Sequence, residues 1–252
     1  MNTILIVSLI VVLFILIVGY NLIVQQRERV ATNKRKEMAK YTAIIDATEE
    51  LIGSANHIPF SKDLLVCLNM RIVDALKEMR SIAPKDRSLP VRISNLESQI
   101  EQLKQTYNGD GQPFKVPNTD RQAIALLQLV KRLKTVVRTE HSKGNIATAS
   151  YVAELGRLEV MQIKINIENV IKRAREAHSK GQIGTAQQLL KKALELVATK
   201  NDSYSVQARE KLQMMFDELS ASRAQQNNVE REQMEASTKN DIDELFQPKK
   251  KW

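Results

Sequence analysis

Apolar positions follow two patterns along this chain. The first is an unbroken run: nineteen of the first 24 residues are apolar, and Ile4 to Val24 carry no charge. At about 1.5 Å per residue the run spans roughly 30 Å, the depth of one hydrocarbon core. A transmembrane helix over 4–24 is expected, with 1–3 as a short extracytoplasmic N-terminus. Lipid leaves backbone polar groups no partners outside a helix. A cleaved signal peptide would open on basic residues, and residues 1–3 have none.

The second pattern is helical periodicity, interrupted at Pro59, Pro84, Pro90, Pro113, Pro117 and Pro248. Residues 25–55 read as a juxtamembrane basic helix carrying Tyr41, Ile44, Ile45, Leu51 and Ile52. Residues 56–108 read as a helical hairpin region. There Ser61 caps a helix with Leu65, Leu68, Ile72, Leu76, Met79 and Ile82, and the next carries Ile93, Leu96, Ile100, Leu103 and Tyr107. A Gly/Pro linker fills 109–118.

Residues 119–220 read as a repeat-like hairpin domain. It opens on a stripe of Leu126, Val130, Leu133 and Val137. Ala149, Ala153, Gly156, Val160, Ile163, Ile167, Val170, Ala174 and Ala177 then alternate steps of 4 and 3, which predicts a coiled-coil-like seam. Two shorter stripes follow, Ala186-Leu190-Ala193-Val197 and Ala208-Leu212-Met215-Leu219. Residues 221–252 form a polar tail, with disorder expected from Asp241. Period-two alternation occurs only inside the long seam, at 163–167. The fold class is therefore all-α: an N-terminal transmembrane helix followed by antiparallel helical hairpins in a repeat-like bundle.

One segment recurs. His141-Ser-Lys-Gly-Asn-Ile-Ala-Thr-Ala149 returns as His178-Ser-Lys-Gly-Gln-Ile-Gly-Thr-Ala186, seven of nine positions identical at an offset of 37. Each copy is expected to end one helix and begin another. His and Lys suit a helix C-terminus, and Gly144 and Gly181 suit a left-handed cap. Ile146 and Ile183, with Ala149 and Ala186, are expected to re-enter the core. Ala177, Gly181, Ala186, Leu190, Ala193 and Leu194 resemble the second half of a tetratricopeptide motif. The helix before them is too long for that motif, and two copies do not make a superhelix.

Composition narrows the classes further. A single cysteine excludes an internal disulfide, and Cys67 with three scattered histidines lacks the spacing of a zinc site. Aromatics at 4% argue against sandwiches and barrels. The net charge of +9 is unevenly placed. Arg27, Arg29, Lys34, Arg35, Lys36 and Lys40 form a collar after the apolar run. The positive-inside rule puts that side in the cytoplasm, and anionic headgroups attract the collar. Another +6 lies in 119–220, with 17 basic against 11 acidic residues. Lys131, Arg132, Lys134, Arg138 and Lys143 make one cluster, Lys172, Arg173, Arg175 and Lys180 a second, and Lys191 and Lys192 a third. Stacked hairpins would let the first two share a phosphate-binding face, without base-reading motifs.

Candidate chemistry is sparse. His57, His141 and His178 sit in turns as capping residues, and Cys67 sits on an apolar helix face as a core residue. No phosphate-binding glycine loop occurs. No catalytic, cofactor-binding or metal-binding residues are therefore expected. The tail carries one short motif, Ile242, Leu245 and Phe246 among acids, followed by Lys249-Lys250-Lys251-Trp252. Such a segment suits a partner groove, and Trp252 suits the membrane interface.

The uncharged anchor, Tyr20-Asn21 at its end, Lys62-Asp63-Leu64-Leu65 to Arg71-Ile72-Val73-Asp74-Ala75-Leu76, and Leu158 to Arg173 together resemble a family of uncharacterised single-pass inner-membrane proteins of gamma-proteobacteria. The resemblance covers most of the chain. It implies a bacterial inner-membrane location and a cytoplasmic, weakly tetratricopeptide-like domain, and some members are loosely labelled DNA repair. It transfers no catalytic residues. The expected function is a non-catalytic, membrane-anchored cytoplasmic scaffold or adaptor. Its partners would be the lipid bilayer, another protein and a second copy of the chain. The alternative is a membrane-tethered, non-specific nucleic-acid-binding protein acting through the basic 131–192 surface.

Overall fold

The computed structural model describes residues 2–107, 114 and 116–246; the side chains of 2–12, 15, 56 and 236–246 lie outside that description. The described residues are all-α, with seven helices and no strand. They are α1 (Asn2–Gly53), α2 (Lys62–Ile82), α3 (Ser88–Thr106), α4 (Asp120–Ser142), α5 (Thr148–Ser179), α6 (Ile183–Ala198) and α7 (Ser203–Phe246). A single 3-10 turn, Ser54–Asn56, follows α1. Two compact units form: Met1–Pro113 with Val136–Tyr151, and Phe114–Thr135 with Val152–Trp252.

Unit one is built around α2. Ser61 caps it as expected, its hydroxyl accepting from the Leu64 N–H at 3.0 Å. Ile45, Ile72, Val73, Ala75, Leu76, Leu89, Ile93 and Ile100 form a core where α1, α2 and α3 meet, and Cys67 is buried on the same helix. Arg92 reaches back from α3 to Glu49 on α1 at 2.6 Å. Tyr107 donates its hydroxyl to the Phe60 carbonyl at 3.0 Å, which ties the end of α3 to the turn before α2.

In unit two, Ile167, Ile171, Ala174 and Ala177 of α5 pack with Ala186, Leu190, Ala193 and Val197 of α6 and Ala208, Leu212 and Leu219 of α7. The α6 stripe is buried at all four expected positions. Arg209 closes the C-terminus of α6, donating to the carbonyls of Val197, Ala198 and Lys200 at 2.8, 3.3 and 3.0 Å. A cation there answers the helix dipole and the unpaired carbonyls together.

One expectation is not supported and two need correction. Among the described residues no helix is long and apolar enough to cross a membrane. The described side chains of the apolar run begin at Leu13; from there to Val24 is roughly 18 Å, short of a hydrocarbon core. The α5 seam is not buried throughout. Its N-terminal part buries Glu154, Leu158, Met161 and Ile165 instead, while Ala149, Ala153 and Gly156 stand exposed. At 100° per residue the two buried sets centre roughly 160° apart, so α5 buries nearly opposite faces in its two halves. Finally, α7 stays helical through 241–246, where disorder was expected. Its Gln-, Glu- and Arg-rich sequence favours helix without needing a core.

Candidate functional site

The two sequence-expected surfaces and one unexpected cluster compete for this role. On α1, Leu13, Phe14, Leu16, Ile17, Val18, Tyr20, Leu22 and Ile23 are all exposed large apolar side chains. The six collar cations after them are exposed too. Helical rise separates the collar into two groups. Arg27 and Arg29 lie within about 8 Å of Val24, whereas Lys34, Arg35, Lys36 and Lys40 lie about 15–24 Å away along the axis. The Debye length is about 8 Å at physiological salt, so on an upright helix only the first pair would feel a surface placed at Val24.

Within unit two the basic side chains of α4 and α5 are not brought together. Lys172 reaches the Asn118 carbonyl, just before α4, and pairs with Glu176 at 3.6 Å. Lys134, farther along α4, meets Gln162 at 2.9 Å and Glu159 at 3.9 Å on α5. Within unit two α4 therefore runs antiparallel to α5. Lys131 and Arg132 lie some 20 Å along α4 from the end that Lys172 touches. Arg173 and Arg175 are exposed near that far end, and Arg138 belongs to unit one. Phe114 lies beside α5, with Lys164 over its ring at 4.9 Å and over the Tyr204 ring at 5.5 Å. Burial, then the neighbouring Glu168 carboxylate, pushes the Tyr204 phenol above its ordinary range.

The unexpected cluster is in unit one. Glu140 is buried, its side chain 1% exposed. Arg71 Nη1 donates to Glu140 Oε1 at 2.6 Å, and Lys143 Nζ donates to the same oxygen at 3.0 Å. Asn145 Nδ2 donates at 2.7 Å both to Glu140 Oε2 and to Asp74 Oδ2. Burial raises the Glu140 pKa, but the hydrogen bonds and charge of Lys143, with Asn145 and Arg71, outweigh it and hold the carboxyl below its ordinary value. A cleft of about 420 Å³ opens beside the cluster, lined by Tyr41, Ile44, Arg71, Asp74, Lys143 and Asn145 among others. The cluster fastens the α4–α5 turn to α2. The sequence held one signal for it: Glu140 falls seven residues after Leu133 and three after Val137, a charge set into an apolar stripe.

Both repeat turns adopt the expected left-handed cap. Gly144 has φ +81° and Gly181 φ +74°. In each, the glycine N–H bonds the carbonyl three residues back, His141 or His178, at 2.9 Å. The next N–H, of Asn145 or Gln182, bonds the carbonyl five residues back, Glu140 or Ala177, also at 2.9 Å. His141 stacks on Tyr151 with ring centroids 4.0 Å apart, a structural use of the ring. Ile183 and Ala186 are buried as expected, whereas Ala149 is exposed and Ile146 only half-buried.

Among the described residues no group of three His, Cys, Asp or Glu is placed to hold a metal. In the tail, Ile242, Leu245 and Phe246 fall on α7, but their side chains, and Trp252 altogether, lie outside the described residues. Comparison with known protein families, curated proteins and solved structures found no match.

Proposed function

We propose that the chain is a membrane-anchored cytoplasmic scaffold, non-catalytic, that presents helical hairpins to protein partners. In this reading residues 4–24 span a bacterial inner membrane with the N-terminus outside. The observation that carries it is the exposed apolar surface of α1. Eight large apolar side chains there are 41–70% exposed. Water penalises each by roughly 1 kcal/mol at such partial exposure, and lipid would remove that cost. The collar that follows has the charge and place of a cytoplasmic flank. The family resemblance points to the same location. The nucleic-acid reading draws no support from the antiparallel pairing of α4 with α5, which separates its two basic clusters.

Two measurements test this. Full-length protein should stay with membranes through an alkaline carbonate wash, and a C-terminal reporter should resist protease added to spheroplasts; release into the wash refutes the anchor. Crosslinking from intact membranes should recover the same protein partner reproducibly, and repeated recovery of none refutes the scaffold.

A further inference from the structure

The α5 seam continues past the point where the fold stops covering it. Val152, Ala153, Gly156, Val160 and Ile163 keep the spacing of a two-helix seam, in line with Ile167, Ala174 and Ala177, which α6 and α7 cover. The cover ends at Ile163, where Leu196 near the end of α6 and Lys200 just past it border the same groove of about 280 Å³. From there back to Val152, about three turns, the seam opens outward. Val152 is 62% exposed, Ala153 and Gly156 are exposed as well, and Val160 is half-buried.

Gly156 is the telling residue. Glycine weakens a helix interior, yet a Cβ built here would meet nothing within 4 Å. No described neighbour requires its missing side chain. A second helix packed closely across the seam would. The flanks say which helix and in which direction. Glu159 borders the seam on one side, Arg157 and Lys164 on the other. Parallel pairing with a second copy of α5 sets Glu159 opposite Lys164, five residues on. Antiparallel pairing sets Glu159 against Glu159 and the cations against each other. Glu159 and Lys164 already touch Lys134 and the two aromatic rings, so they would be shared rather than newly recruited.

We propose that the open seam Val152–Val160 is a self-association site, where α5 of a second copy packs in parallel. This is separate from the membrane and scaffold reading and does not depend on it.

The test uses the purified full-length chain in a Cys67→Ser background. Ala153→Cys, Gly156→Cys and Val160→Cys should each form homodimers on mild oxidation, at least fivefold more than Gln162→Cys, an exposed position off the seam. Adding Gly156→Trp should abolish the Ala153→Cys crosslink. Gly156→Ala should leave the helical signal intact, showing that the single chain tolerates a side chain there, and should lower the yield of the Ala153→Cys crosslink. Three results overturn the proposal: equal crosslinking at Gln162→Cys, crosslinks indifferent to Gly156→Trp, or seam cysteines that trap a different protein and no second copy. Crosslinking of Ala153→Cys with Ile163→Cys in mixed chains, without like-to-like products, overturns the parallel arrangement.

Discussion

The two His-Ser-Lys-Gly turns share a backbone and differ in what lies beneath it. Their glycines and their paired 2.9 Å bonds match. Yet the residue one step before the histidine is Glu140 in the first turn and Ala177 in the second. Glu140 reaches into a charged cluster with Arg71 and Asn145, whereas Ala177 joins the apolar core of α5, α6 and α7. Local sequence thus writes the turn, and one buried position decides how it is held. The polar version ties α2 to its turn through directional bonds, and such bonds tolerate no substitute register. The apolar version is held by burial alone.

The largest effects should come from exchanging those two positions. Glu140→Ala leaves Arg71, Lys143 and Asn145 without their buried carboxylate and should cost about 3 kcal/mol in denaturant unfolding. Ala177→Glu puts an unpaired charge into the core and should cost at least as much, about 3–5 kcal/mol. Replacing both charges, Glu140→Leu with Arg71→Met, should recover most of the first loss. A double variant as unstable as Glu140→Ala would show that the Arg71–Glu140 pair is not what holds the cluster.

Acid should separate the turns next. The folded-state pKa of Glu140 lies below its unfolded value. Its contribution is therefore complete above the ordinary carboxylate range and is lost as pH falls through the folded value. A stability–pH curve should consequently be steeper below about pH 4.5 for the wild type than for Glu140→Gln. Equal slopes would show that other carboxylates dominate. Smaller still, Gly144→Ala and Gly181→Ala should each cost about 1–2 kcal/mol, and by similar amounts, because both force an L-residue to positive φ. Last, His141→Ala should cost roughly 0.5–1 kcal/mol through its Tyr151 stack, and His178→Ala less.

Helix content and the turns were legible because they depend on near neighbours. The α6 stripe and the Ser61 cap follow from spacing and capping chemistry alone. The α5 seam was readable only in part. Its 3-4 rhythm identifies a face able to pack, but not which stretch of that face the chain itself covers. Ala153 and Gly156 satisfy the rhythm as well as Ala174 and Ala177 do, and only tertiary placement separates them. Glu140 was missed for a related reason. Its partners Arg71 and Asp74 lie about 70 residues away, so no local window contains the cluster. The basic clusters misled in the opposite way, since nearness in charge count ignored the direction in which α4 and α5 pair.

The unbroken course of α1 has a mechanical consequence. Between Val24 and Tyr41 there is no proline, no glycine and no interruption of the helix, and Tyr41 already packs on the core of unit one. These seventeen steps make a stiff arm of about 26 Å. With its root held in a bilayer as proposed, a 10° change of tilt would swing the far end by about 4–5 Å. Bilayer thickness would then be felt at Tyr41 and Ile44, which also wall the cleft beside Arg71. An arm so held would convert a property of the lipid into a displacement at a protein surface.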